Sequence, residues 1–544
     1  MSRAVPDADA TETWLRRLSW WLLLPVLGPV WLVERDIWDG VIGTYGLERN
    51  DFSGIHDWLI PANWGLVYLM WRGLQVLVLH TGVPGWVWIK LLISISLLGI
   101  GRETRLLCEG PMGWPRRDAR FAQCLALVFP CWYVLYGSTF SYVVFIWLGF
   151  MGHRLLHEGR GRAGPVAGYL LMLISFQVNS NFVLVCALEA IRWLMRPAAR
   201  RVRWGLAVLV IGSAVLVYLA LRLYWRPSGP FQNYNNLVWP FSREGLLAWM
   251  RAAAMALTWV PFLVLPGVVA WLLARGQAPV AQRDGPGPGK ETLAVGLLLA
   301  GALFAYMAVG KGAALFVLRL PQGWLGTGTH LGLPSQDLFF TTADGWSMRN
   351  AFLLSVAASV ASVWLVRLAV SRTSHGPREL LARSAAIAVA LAVSLGFLLH
   401  GHAAKQLRLA QELAVVKGLQ ALPNPPPSGT VDMALAPAVG WAAWSYEANY
   451  VVWLAYGRTE WAAALYSGEG RAAAVAERDQ AVSSSISRVH YLMDHLKVPG
   501  CHSELTFELP SGLHAASLTA DRLRLAPVPA ARLARQSQRC PSDN

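Results

Sequence analysis

Charge is scarce in this 544-residue chain: Asp, Glu, Lys and Arg make up only 15% of it, while 55% is hydrophobic and the mean hydropathy is +0.40. Such a composition excludes an ordinary soluble globular protein, about a quarter of which is charged, and implies a polytopic membrane protein. Acidic residues are the scarcer sign, 32 against 47 Lys and Arg, for a formal net charge of +15. That surplus raises nucleic acid as a partner. The arginines, however, fall in short clusters between apolar runs, as loop charges at a membrane do, and nucleic acid is set aside. Cysteine is sparse as well, six in all. Cys108, Cys124, Cys131 and Cys186 lie in or beside apolar segments; Cys501 and Cys540 lie in the C-terminal region, where they can pair in an oxidising compartment. No cleavable leader is expected either. Residues 1–17 mix Asp7, Asp9 and Glu12 with Arg3, Arg16 and Arg17, so the apolar run that follows reads as a retained anchor.

Soluble-enzyme motifs are equally absent. GRGRAG at 159–164 fits the dinucleotide spacing but follows an apolar segment with no preceding strand. GPGPGK ending at Lys290 has Asp284 in place of the first glycine and Glu291 where Ser or Thr should bind magnesium, so it reads as a linker. No serine nucleophile elbow occurs. His153 and His157 share a helix face at i, i+4, but the sequence offers no third donor near them, and an interfacial role is expected. No clear metal-ligand set is legible and no cofactor is certain; a divalent metal stays open.

Apolar runs long enough to count as spans read at 18–33, 84–101, 121–136, 138–153, 165–179, 182–195, 204–223, 247–273, 292–310, 349–370 and 384–401. Residues 64–79 are also apolar, and counting them would reverse the side of every later loop. The positive-inside rule decides against it. Without that span, five basic segments share the cytoplasmic side: Arg102 to Arg120, Arg154 to Arg162, Arg196 to Arg203, Arg275 to Lys290, and Arg372 to Arg383. Residues 64–79 are therefore expected to form an interfacial helix carrying Arg72, Trp64 and Trp71. The predicted fold class is an all-α polytopic membrane protein of about eleven helices, N-terminus in and C-terminus out.

That topology turns ERDIWDGVIGTYGLERNDFSGIHDW, which follows Val33, outward. Glu34, Asp36, Asp39, Glu48, Asp51 and Asp57 crowd this stretch beside the bilayer exit, as either a wet loop or a site. Trp38, Val41, Ile42, Tyr45, Phe52, Ile55, Trp58 and Leu59 interleave with them, which favours a packed element over a solvated tether. A partly desolvated carboxylate there suits general-base work.

ERDIWDG at 34–40, NDFSG at 50–54 and GLVYLMWRGLQVLVLHTGVPG at 65–85, in this topology, resemble the GT-C superfamily of integral membrane glycosyltransferases. The acids here are spaced, whereas the family often has them adjacent. The resemblance implies an inverting transfer of sugar from a polyprenyl-phosphate donor to an extracytoplasmic glycan, lipid or protein acceptor at a bacterial inner membrane. Asp36, Asp39 or Glu34 would be the base. The leaving phosphate needs cations or amides. Outward candidates are Arg72, Arg226, Arg243, Lys311, Arg319 and Arg349, with Asn233, Asn235 and Asn236 among the amides that suit a sugar.

The chain divides into a transmembrane part, 1–401, whose first outer loop spans 34–83, and an extracytoplasmic C-terminal domain, 402–544, mixed or mainly helical. Residues 434–456 read either as a twelfth span or as a helix buried in that domain, and Glu447 and Asn449 favour the latter. Rival functions are a transporter or flippase of lipid-linked glycans, or an O-antigen-type polymerase or ligase. Transport calls for ionisable groups inside the spans; few occur, with Glu189 the deepest.

Overall fold

The computed structural model describes residues 8–33, 40–135, 139–178, 181–195, 201–224, 226–228, 241–275, 288–308, 349, 351–370, 377–436, 441–443, 445–483 and 500–540. The chain opens with α1 (Ala8–Trp21) and α2 (Leu23–Trp31), followed by α3 (Gly40–Arg49), α4 (Ser53–Leu59) and α5 (Gly65–Thr81). Next come α6 (Gly85–Glu109), α7 (Arg116–Leu127), a 3-10 turn at Pro130–Val134, and a hairpin of α8 (Phe140–Glu158) and α9 (Ala163–Ser175). Then follow α10 (Asn181–Met195), α11 (Arg201–Tyr224), α12 (Arg243–Leu257), α13 (Val260–Ala274), α14 (Pro288–Ala308), α15 (Phe352–Val370) and α16 (Pro377–Gln420).

Four stretches are long and apolar enough to cross a bilayer: Gly85–Glu109, Arg243–Ala274, Phe352–Val370 and Arg378–Gln420, with Ala163–Ser175 and Val208–Tyr224 as shorter apolar helices. The helical membrane character expected from hydropathy is present, though by length and composition the described residues supply fewer spans than the expected eleven. Proline accounts for part of the difference. The run at 121–136 leaves its helix after Leu127, ahead of Pro130. The 64–79 segment forms α5, which is outside both groups of apolar helices. It is two-faced: Val67, Trp71, Leu74 and Gln75 are buried, while Leu69, Val76, Leu77 and Leu79 are exposed.

The helix ends next to the five basic segments are stitched together by ion pairs. Asp118 on α7 accepts from Arg367 of α15 at 2.6 Å and Arg383 of α16 at 2.9 Å. Arg367 also holds Glu291 of α14 at 3.0 Å, and Arg383 holds Glu379 at 2.9 Å. Burial pushes the Asp118 carboxyl up, but Arg383, Arg367 and Arg117 outweigh it and hold the group below its usual range. The belt continues through Glu103 of α6, which takes two N–H groups of Arg154 on α8 at 2.7 and 3.0 Å, and through Glu158 with Arg192 of α10 at 2.6 Å.

α16 is one unbroken helix of 44 residues, about 66 Å long, so it outruns a bilayer core of about 30 Å. Its far half carries the C-terminal unit: β1 (Gly429–Ala436), β2 (Trp441–Ala442), α17 (Ser445–Tyr456), β3 (Trp461–Ser467), α18 (Arg471–Ser483), β4 (Cys501–Glu508), α19 (Ala515–Arg522) and β5 (Arg532–Arg539). The sheet order is β2-β3-β1-β4-β5, with β1 parallel to β3 and β4, and β2 and β5 antiparallel edges. Alternation of side chains along β1 sends Val431, Met433 and Leu435 toward Ala414, Val415 and Leu419 of α16 and Val451 of α17. The opposite face packs Ala464 and Tyr466 on Ala474 of α18. The unit is therefore mixed α/β. Within 434–456 the chain ends β1, forms β2 and enters α17, a 12-residue helix buried over Ser445 to Val452. Cys501 and Cys540 are joined by a disulfide where β4 meets β5.

Candidate functional site

At the bundle end away from the ion-pair belt, α3, α4 and α5 build a platform. α3 can sink deep because it is glycine-rich: a Cβ on Gly43 would overlap the Trp71 ring, and one on Gly85 would overlap Leu47. Gly40 to Leu47 are all buried. Asn50, at φ 55°, turns α3 off, and the Asp51 N–H returns to the Gly46 carbonyl at 3.0 Å. Asp51 then accepts from the Ser53 backbone N–H at 3.0 Å and its hydroxyl at 2.7 Å, which starts α4. Asp57 lies 3.1 Å from His56.

The platform is bolted to the bundle. Trp71 meets Phe140, at the start of α8, edge-on at 5.2 Å, and Trp64 tilts against Tyr142 at 5.4 Å. Gln177, after α9, donates to the Asn63 carbonyl at 2.8 Å. The C-terminal unit closes over it: Tyr45 of α3 packs edge-on against Trp453 of α17 at 5.2 Å, and Val41 shares a buried cluster with Tyr450.

Glu34, Asp36 and Asp39 lie outside the described residues. Their flanks do not: Val33 is 2% exposed and Gly40 is buried. Lys90 of α6 is buried and donates to the carbonyls of Trp31, at 3.4 Å, and Val33, with its ammonium 4.4 Å from the Trp86 ring centre. Those carbonyls end α2, where a cation suits the helix dipole. Of the other first-loop acids, Glu48 stands out: it is solvent-exposed at the last turn of α3, yet the bulk packed around it pushes its carboxyl up, to about 7.

Arg72 gives an N–H to Gln75 at 2.5 Å and lies 5.5 Å from the Phe52 ring centre; Gln75 donates onward to Asn50. Arg349 is buried and faces the Tyr142 ring at 6.0 Å. Arg226 is exposed, and the neighbouring Ser228 N–H reaches the Pro61 carbonyl at 2.9 Å, so its segment joins the platform. Arg243 begins α12. Lys311, Arg319, Asn233, Asn235 and Asn236 lie outside the described residues.

Sequence reading missed the buried polar stripe of α16. His402, Lys405, Arg408 and Glu412 follow one another at three- and four-residue steps, all buried. Arg408 bonds Glu412 at 3.0 Å and Glu447 of α17 at 2.6 Å, tying the membrane helix to the unit that covers the platform. The three- and four-residue spacing is present in KQLRLAQE, but nothing local marks that face as buried.

Among the described residues, two groups could hold a metal. On the α18 face of the sheet, Asp432, His502 and Glu504 converge, but guanidinium groups already occupy the acids: Arg478 binds Asp432, and Arg471 binds Glu504 at 2.9 Å. Burial pushes the Asp432 carboxyl above its ordinary range even so. The second group corrects the sequence reading. His153 and His157 do have a third donor, Glu189 of α10, whose Oε2 lies 3.1 and 2.7 Å from their Nε2 atoms. No protein-family model matches the chain, and no curated protein or solved structure matches it.

Proposed function

We propose that the protein is a membrane glycosyltransferase that moves a sugar from a polyprenyl-phosphate donor to an extracytoplasmic glycan, lipid or protein acceptor. The observation that carries the reading is the mount of the acid segment. Val33 on one side and Gly40 on the other are buried, one beside Lys90 and the other in α3 beneath α17. A solvated tether needs no such mount.

Asp36 or Asp39 takes the proton from an acceptor hydroxyl, and that oxygen attacks the anomeric carbon. The bond to the lipid phosphate breaks, and the phosphate leaves with the electron pair. Arg72, Arg349 and Arg226, the candidate cations joined to the platform, stabilise the charge that forms there. The lipid chain stays in the bilayer with its phosphate at headgroup level, and the ion-pair belt faces the cytoplasm, as the positive-inside rule asks.

Comparing cells with and without the protein tests this. Loss of the protein leaves a polyprenyl-phosphate sugar accumulated and a surface glycan, lipid or protein lacking that sugar. Unchanged pools of both would end the proposal. A flippase would behave differently: the purified protein would move lipid-linked sugar between leaflets without transferring it.

A further inference from the structure

The His153, His157 and Glu189 cluster lies far from the platform. His153 is 13 residues along α8 from Phe140, a rise of about 20 Å. α8 presents both imidazoles on one face, their centres 5.0 Å apart, and α10 delivers the carboxylate between them. The ligating atoms all lie within 4.8 Å of one another. His153 and Glu189 are buried at 3% and 5% exposure, while His157 is less enclosed, leaving an access route.

A hydrogen-bonded His–Glu–His trio would account for Oε2 alone. Oε1 of Glu189 is also buried, and it has no hydrogen-bond partner among the described residues. A buried carboxylate oxygen left unsatisfied is costly, so the trio is incomplete by itself. The neighbouring cation, Arg192, is turned to Glu158 at 2.6 Å. Two imidazole nitrogens and a carboxylate are the donors of a three-ligand zinc site, in which ligand atoms about 3.3 Å apart surround the ion. The observed 2.7 and 3.1 Å to Oε2, with all ligating atoms within 4.8 Å of one another, need only small shifts to admit it, and a carboxylate chelating through both oxygens would satisfy Oε1 as well.

We propose that His153, His157 and Glu189 bind one divalent transition ion of the zinc type, which clips α8 to α10 at the end of the bundle remote from the platform. The three protein ligands leave a further coordination position for water or another donor.

The full-length protein, purified in detergent at pH 7.5 and stripped with a chelator, is dialysed against Zn²⁺ and, separately, Co²⁺. Bound metal is measured by elemental analysis and Co²⁺ by its visible spectrum. Wild type takes up one ion per chain with a low-symmetry, four-coordinate Co²⁺ spectrum. Glu189→Gln and His157→Ala weaken uptake by about 100-fold or more, beyond what losing an outer-shell partner costs. His502→Ala leaves it unchanged. His157→Ala, at the more open position, keeps the test valid if Glu189→Gln does not fold. Wild-type uptake equal to that of His157→Ala, or uptake abolished by His502→Ala and kept by the other two, overturns the proposal.

Discussion

The two ends of the helix bundle handle charge differently. At one end, Asp118, Glu291, Glu379, Glu103 and Glu158 each meet a guanidinium, in one set of pairs joining α7, α14, α15 and α16 and another joining α6, α8 and α10. At the other, Arg72 reaches an amide and an aromatic face, Lys90 reaches backbone carbonyls and an indole, and Arg349 faces a tyrosine ring. A belt whose partners are acids of the same chain serves the architecture, because it fixes the register of α6, α7, α8, α10, α14, α15 and α16. Arg72, held by an amide and lying on an aromatic face, keeps a geometry that an incoming anion can share. The contrast separates the end that holds the bundle together from the end proposed to do chemistry.

Breaking the belt should produce the largest change in stability. Asp118→Asn removes the acid on which Arg367 and Arg383 converge, and losing one partner of a buried pair costs about 3–5 kcal/mol. The expected result is a clear fall in the thermal midpoint of the detergent-solubilised protein; an unchanged midpoint would show that the belt carries little energy. The C-terminal unit gives a smaller step. Cys540→Ser opens the link to Cys501, 39 residues away, at a cost of about 2–4 kcal/mol. Limited proteolysis should then cut within β4 to β5 sooner, while the helix bundle keeps its cleavage pattern.

The smallest effect should come from the platform. The Glu48 carboxyl is raised from its ordinary 4.5 to about 7, so the folded state holds that proton more tightly than the unfolded chain does. Its contribution is complete below about pH 4.5 and is lost as pH rises through about 7. Glu48→Gln should therefore raise the thermal midpoint relative to wild type at pH 8 and leave it level at pH 4. A midpoint equal to wild type at pH 8 would mean that Glu48 is not desolvated.

Hydropathy made the helical membrane character legible, because apolar runs of that length have few other uses. Glu447 and Asn449 favoured a buried helix over 434–456; both are buried, but the helix covers only Ser445–Tyr456, and the run before it ends β1 and forms β2. The five-stranded sheet was harder to read. WAAALYS is buried along its whole length, and a short continuous apolar run does not distinguish a parallel strand from a buried helix. Long-range partners were illegible for another reason. Glu189 is 32 residues beyond His157, and nothing local announces that α9 and α10 fold it back onto α8. The platform had a clearer local signal, the aromatic and aliphatic residues interleaved with the acids; its glycine packing against Trp71 and Leu47 became visible only in three dimensions.

The most direct test is transfer itself, measured with purified protein in liposomes that hold a polyprenyl-phosphate sugar and its acceptor, for wild type, Asp36→Asn, Asp39→Asn and the double variant. One aspartate variant and the double variant should lose about 10²- to 10⁴-fold in rate, the usual contribution of a general base, while eluting as monodisperse protein. Wild-type rates in both single variants and in the double variant would contradict the account.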